Sequence, residues 1–273
     1  MCAAGERDSV LIAMSALKSK MRKKDGSAVP SYSDDIHRPV TSLVFLLPVV
    51  VVYEVGTYLL SSALPEAMEA RVLAFELLRR FLALFGATIF YLPGLALPVI
   101  LAAWHVATGD AWRVRKRTMA LMAMESILLA VPLVVLSNVG NSYVPAAAPT
   151  ASASLRTALG TLFLSMGAGI YEELLFRLML ISLLNMVLID LARLAEPAAM
   201  FIIVLVSAAV FSLYHYLGPE QFTWSSFIFR AVAGGYLAGT FILRGFGITV
   251  GCHVMYDVLA MLLNALSGVP YTP

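Results

Sequence analysis

Three short runs in the C-terminal half place ionisable side chains at helical spacing inside otherwise apolar sequence. They are Gly167-Ala-Gly-Ile-Tyr-Glu172-Glu173-Leu-Leu-Phe-Arg177, Phe211-Ser-Leu-Tyr-His215 and Cys252-His253-Val-Met-Tyr-Asp257. Glu173 and Arg177 stand four apart, so on a helix they share a face and can pair, while Glu172 is turned away by about 100° and stays free. A carboxylate held in place, partly desolvated and not consumed by a salt bridge is what a general base requires. His253 and Asp257 are also four apart, and Phe211 flanks His215 one turn earlier. The same Glu172, His215, His253 and Asp257 form a chemically sensible set of zinc ligands, so the residues by themselves leave a metal site open. Cys252 invites a nucleophile reading, but as a small residue in an apolar run it is read as packing.

The elements that carry these runs belong to a membrane protein. Of 273 residues 60% are hydrophobic and 13% charged, with a mean hydropathy of +0.85, whereas soluble domains have roughly 45–50% and about 25%. A net charge of +2, with basic residues in short blocks, argues against nucleic-acid partners. Two cysteines, Cys2 and Cys252, make no disulfide framework.

A bilayer core of ~30 Å takes about 20 apolar residues of helix. Such runs extend from Val40 to Leu64, Phe81 to Thr108, Thr118 to Gly140, Pro197 to Gly218, Phe222 to Leu243 and Phe246 to Gly268. A longer stretch from Leu155 to Leu194 carries charges in its middle and reads as one helix, with Gly167 and Gly169 as the place where it would split. The fold class expected is therefore all-α and polytopic, with about seven transmembrane helices, or eight if that stretch divides. The organisation expected is a soluble basic arm over 1–39 with a short surface helix at Val10–Leu17, N-terminal membrane helices over 40–154 with an interfacial helix near 65–80, and a membrane domain over 155–268.

Thirteen of the nineteen Lys and Arg residues fall in the arm, the 108–117 loop, Arg193 and Arg244. By the positive-inside rule those segments are cytoplasmic and the C-terminus lies outside. A bacterial-type plasma membrane is expected ahead of the endoplasmic reticulum.

An ionisable group in mid-membrane costs about 3 kcal/mol on insertion scales, so each one demands a reason. Glu54, Glu125 and His105 read as packed and locally satisfied, and Arg230 either as counter-ion to the acidic cluster or as snorkelling to the surface. If the chain turns near Ala195, Glu172 and His215 differ in height by only about 5 Å. His253, eight residues past a turn at Gly245, comes out roughly 10 Å from His215 for straight helices. Tilt, or a break at Gly218-Pro219 or Gly234-Gly235, has to close that gap.

The three runs resemble the CPBP family of intramembrane proteases, also called the ABI family, which includes CAAX prenyl proteases of the Ras-converting type. The family pattern, Glu-Glu-x-x-x-Arg, then Phe-x-x-x-His, then His-x-x-x-Asn/Asp, is met by Glu172-Glu173 and Arg177, by Phe211 and His215, and by His253 and Asp257. The resemblance covers about residues 155–268. It implies a glutamate-dependent endopeptidase needing no cofactor, acting in the lipid bilayer on a peptide or membrane-protein substrate, a prenylated C-terminus being one option. It further implies that Glu172 with His215 activates water, that Glu173 and Arg177 are structural, and that His253 with residue 257 stabilises an oxyanion. Asp257 departs from the Asn form, and an ionised Asp would repel that oxyanion. A noncatalytic immunity or regulatory protein of the same fold, and a transporter or proton relay, are the competing readings. No inverted repeat of the kind transporters show relates the first spans to the last.

Overall fold

The computed structural model describes residues 31–61, 73–84, 86, 92–139, 155–218 and 220–267. The Val10–Leu17 helix, the polybasic run from Lys18 to Lys24 and the 140–154 segment lie outside the described residues. The chain divides into two units, 1–35 and 36–273. In the first, Ser31 Oγ donates to the Asp34 carboxylate at 2.7 Å and accepts the Asp34 N–H at 3.2 Å, starting the short helix Tyr32–Ile36.

The second unit is a bundle of helices: α1 Pro39–Ser61, α2 Leu73–Ala83, α3 Leu92–Thr108, α4 Lys116–Val139, α5 Leu155–Glu173, α6 Glu196–Tyr214 and α7 Trp224–Ser267. Among the described residues every regular element is helical, as expected of a lipid-embedded chain whose backbone groups must be satisfied within each segment. Among the described residues five helical stretches are long and apolar enough to cross a membrane, and the 93–108 stretch is a shorter apolar helix. The protein is thus a polytopic all-α membrane protein.

Side chains sort by face rather than by depth. On α1, Leu46, Val50 and Tyr53 are buried against neighbouring helices, while Leu47, Val51, Val55 and Tyr58 remain exposed as an apolar stripe suited to lipid.

Several boundaries differ from the sequence expectation. The run from Phe81 to Thr108 is not one helix: α2 ends at Ala83, Gly86 takes a left-handed φ of 77°, and α3 is described from Leu92. Of the stretch read as an interfacial helix near 65–80, the residues from Pro65 to Val72 fall outside the description and the rest lies in the helix Leu73–Ala83. Its Ala74, Phe75 and Leu78 are buried. On the other face Arg79 and Arg80 hydrogen-bond Glu76 and hold that carboxyl well below its usual range, at about 2.

The 155–194 stretch does not split at Gly167 or Gly169. After Glu173 the rod continues as π-type turns, Leu174–Ile181, one α-turn at Ser182–Asn185, and further π-turns at Met186–Leu191. Arg193 takes a left-handed φ of 53° to end it, and Pro197 occupies the first turn of α6, where a missing N–H costs nothing.

Gly245 divides α7, with φ 79° and ψ 173° in an otherwise helical run. The chain doubles back there. Leu237 and Ala233, before the glycine, share a buried cluster with Cys252, after it. On a straight helix Ala233 and Cys252 would stand about 28 Å apart. The spans expected from Phe222 to Leu243 and from Phe246 to Gly268 are therefore two arms of a hairpin. Glycine is required twice over, by the positive φ and because a Cβ would meet the Ile36 carbonyl and His37 Nδ1 at 3.0 Å.

Candidate active site

Glu172 and Glu173 end the α-helical part of α5, immediately before its π-turns, a distortion found mostly at functional sites. Tyr171, beside them, donates its hydroxyl to Glu54 at 2.6 Å and packs edge-on against Tyr53 and Phe75, so the start of the acidic pair is anchored to α1 and α2. Glu54 is thus a satisfied packing residue. Glu125 is another, forming a two-pronged ion pair with Arg244 whose second arm measures 2.8 Å. His105 is fully buried with its ring edge-on to Trp112, and neither ring nitrogen has a hydrogen-bond partner.

Gly169 brings α5 against the second arm of α7, since a Cβ there would lie 2.9 Å from the Val254 backbone nitrogen. This approach sets Glu172 and Glu173 beside His253. Glu172 Oε2 stands 4.0 Å from His253 Nε2 and 3.8 Å from His215 Nε2, and Asp257 Oδ2 is 3.8 Å from His253 Nε2. The gap feared for His253 is closed without a break at Gly234-Gly235, both of which lie inside a continuous helical stretch.

Glu173 has a second partner that its spacing did not reveal. Its Oε2 lies 3.0 Å from Arg177 Nε, out of line for a strong hydrogen bond, while its Oε1 accepts from His253 Nδ1 at 2.7 Å. Arg177 donates to the Gly234 carbonyl at 3.1 Å and lies over the Phe211 ring at 4.5 Å. Phe211 packs edge-on to His215 and His253 as well, so this one ring spaces both imidazoles and the guanidinium. Glu173 and Arg177 are 0% exposed, and the pair forms the buried strut on which His253 rests.

The tautomers follow from these partners. A carbonyl only accepts, so the 2.8 Å contact between His215 Nδ1 and the Phe211 carbonyl puts a proton on Nδ1 and leaves the Nε2 lone pair toward Glu172 when the ring is neutral. His253 likewise donates from Nδ1 to Glu173, so its Nε2 faces Glu172 and Asp257.

These groups line a cavity of about 370 Å³ together with apolar side chains of α4 and α5. Among the described residues no group of three His, Cys, Asp or Glu side chains is arranged to hold a metal ion. Arg230 does not pair with the acidic cluster. It binds Glu220 through two bonds of 2.7 and 2.6 Å. Glu220 went unnoticed in the sequence because it lies in a polar turn, where a carboxylate carries no signal. Cys252 is a buried free thiol with 0% exposure, in keeping with packing. Tyr214, also missed, interacts through its phenol with Glu172.

Fold and site together define a polytopic membrane protein with acids and imidazoles enclosed between its helices. Residues 154–259, a range containing all three runs, match the family model described as Rce1-like, type II CAAX prenyl endopeptidase, and the match supports the resemblance to the CPBP/CAAX proteases. No curated protein and no solved structure matches the chain. The matched family is one of CAAX protease-type peptidases, so the match supports an intramembrane peptidase in general.

Proposed function

We propose that the chain is a glutamate-dependent intramembrane endopeptidase. The observation that carries this reading is the placement of Glu172 Oε2 at 3.8 and 4.0 Å from two imidazole nitrogens inside a cavity. Those distances are too long for direct hydrogen bonds and suit a bridging water. Glu172 takes a proton from that water, aligned by the His215 Nε2 lone pair, as its oxygen attacks the scissile carbonyl carbon. The carbonyl electrons move onto oxygen, where His253, as an imidazolium held by Glu173 at Nδ1, donates its Nε2–H to the developing oxyanion. Collapse of this intermediate re-forms the carbonyl and breaks the C–N bond, with Glu172 returning the proton to the leaving amine. Comparing wild type with Glu172→Gln on a library of membrane peptides tests the scheme.

Asp257 acts through its distance to His253 Nε2, 3.8 Å, either orienting that ring or donating beside it. Asp257→Asn retains substantial hydrolysis, because an amide still donates and brings no charge. Asp257→Leu lowers kcat by about 10²-fold, the usual loss for one oxyanion contact. In this reading no metal takes part, so chelator leaves all three proteins unchanged. Equal activity in wild type and the Leu variant, or loss to chelator with recovery on zinc, would overturn these roles.

The basic segments mark the cytoplasmic end. Arg38 donates to the Arg113 carbonyl at 2.9 Å and to that of Ala111, and Gly245 lies against Ile36 and His37, so the start of α1, the 108–117 loop and the α7 reversal share one end of the bundle. Reporters fused in the 108–117 loop are expected on the cytoplasmic side and those after residue 267 on the other; the reverse result refutes the orientation.

A further inference from the structure

Close helix contacts fix how far each cavity residue stands from the basic end of the bundle. Gly247 lies against Ser42 and Met122, and Gly251 against Phe45 and Ser126, so α1, α4 and the second arm of α7 leave that end together and run side by side. Gly167 lies against Tyr53 and Gly56 against Phe163, so α5 runs the opposite way beside α1. Counted from Pro39 at ~1.5 Å per residue, Glu172 and His253 both come out about 14 Å from the basic end. Two separate helix contacts thus agree on the depth of the reactive groups.

From that level the cavity extends in one direction only among the described residues. On α5 its wall is Thr161, Leu164, Ser165 and Ala168, all before Glu172 and reaching about 30 Å from the basic end. These four are half-buried, whereas Glu172 is buried, so the wall opens as it leaves the site. On the second arm of α7 the wall is Tyr256, Asp257 and Ala260, all after His253 and reaching about 24 Å, and α4 adds Leu133 at about 21 Å. Toward the basic end the space is closed. Phe211 is the floor, and Phe176, four residues beyond Glu172 and 6% exposed, packs edge-on against it at 5.3 Å. Arg177, the next residue and 0% exposed, covers the same ring.

The reactive groups therefore stand at the bottom of a well about 15 Å deep that leads away from the basic end. An extended peptide needs about five residues to reach from its rim to Glu172. In the orientation proposed above the basic end is the cytoplasmic one. We infer that the substrate is a polypeptide segment displayed on the non-cytoplasmic face, and that no cytoplasmic segment reaches Glu172. The inference rests on the peptidase reading and on that orientation for its consequence; the direction of the well is separable from both.

Access and cleavage are read separately, in sealed right-side-out and inverted membrane vesicles holding the full chain. In a Cys2→Ala background, Ser165→Cys and, as a second position, Ala168→Cys mark the wall of the well, and Ala111→Cys marks the 108–117 loop. Cys252, 0% exposed, supplies the background signal. A charged, membrane-impermeant methanethiosulfonate is expected to label the two wall positions only in right-side-out vesicles and Ala111→Cys only in inverted ones. A membrane-impermeant fluorogenic peptide library is expected to be cleaved by wild type in right-side-out vesicles, with the signal falling to that of Glu172→Gln in inverted ones. Labelling of the wall positions from the same face as Ala111→Cys, from both faces or from neither would each overturn the inference, and so would cleavage confined to inverted vesicles. Wall positions labelled only in inverted vesicles, with Ala111→Cys labelled only in right-side-out ones, would overturn it together with the orientation. Labelling as expected without cleavage from either face would instead sink the peptidase reading and leave the direction of the well standing.

Discussion

Replacing Glu172 by Gln is expected to lower hydrolysis by about 10³-fold or more while the protein stays folded and inserted. The amide keeps the size of the carboxyl and most of its hydrogen bonds but cannot take a proton from water. General-base catalysis contributes about 10²–10⁴-fold where a positioned group performs it. Glu172 is 5% exposed and has no permanent cationic partner of its own, since Arg177 pairs with Glu173, so its loss strands no opposite charge. His215→Ala removes the group that aligns the water and follows the same pattern with a smaller loss. Thermal unfolding and single-turnover cleavage, measured on the same detergent preparation, check the claim. Near-normal turnover in Glu172→Gln would show that another group activates the water.

Arg177→Leu is expected to cost about 3–5 kcal/mol of stability and to remove activity with it. The reason is the uncompensated carboxylate left on Glu173, which is 0% exposed. Removing both charges together, Glu173→Leu with Arg177→Leu, restores most of the stability, because a buried ion pair is worth little against apolar replacements of similar volume. Activity does not return. His253 Nδ1 then has no acceptor where Glu173 Oε1 now holds it at 2.7 Å, and its Nε2 is no longer aimed at the cavity. Chemical or thermal unfolding of the single and double variants, set beside their cleavage rates, separates the strut from the chemistry. A double variant as active as wild type would reduce the pair to packing.

A part of this architecture was readable along the chain because the bilayer enforces it. Apolar runs of membrane length announce helices whatever their neighbours, and the period of 3.6 assigns Glu173 to Arg177 and His253 to Asp257 before any folding is considered. The expense of charge in hydrocarbon singled out Glu172, His215, His253 and Arg230. The reversal at Gly245 and the continuity of the long helix were likewise anticipated from glycine and hydropathy. The break between α2 and α3 was not, although Gly86, with a φ of 77° just past α2, and Pro93, in the first turn of α3, mark it in the sequence.

Partnerships between helices obey no period, and they were decided by tertiary structure alone. Glu173 reaches His253, eighty residues away, because Gly169 lets α5 lie against the Val254 backbone. Arg177 meets Gly234 and Phe211, and Tyr171 meets Glu54, through contacts that depend on the rotation and height of whole helices. Arg230 lines the same cavity as the imidazoles yet pairs with Glu220, in a turn whose carboxylate looked unremarkable in sequence. Residue type and local spacing thus determined which side chains were too costly to be idle. Close helix approach at small residues and the single doubled-back α7 decided which of them act together, because contacts between helices are set by packing geometry and not by the period within any one of them.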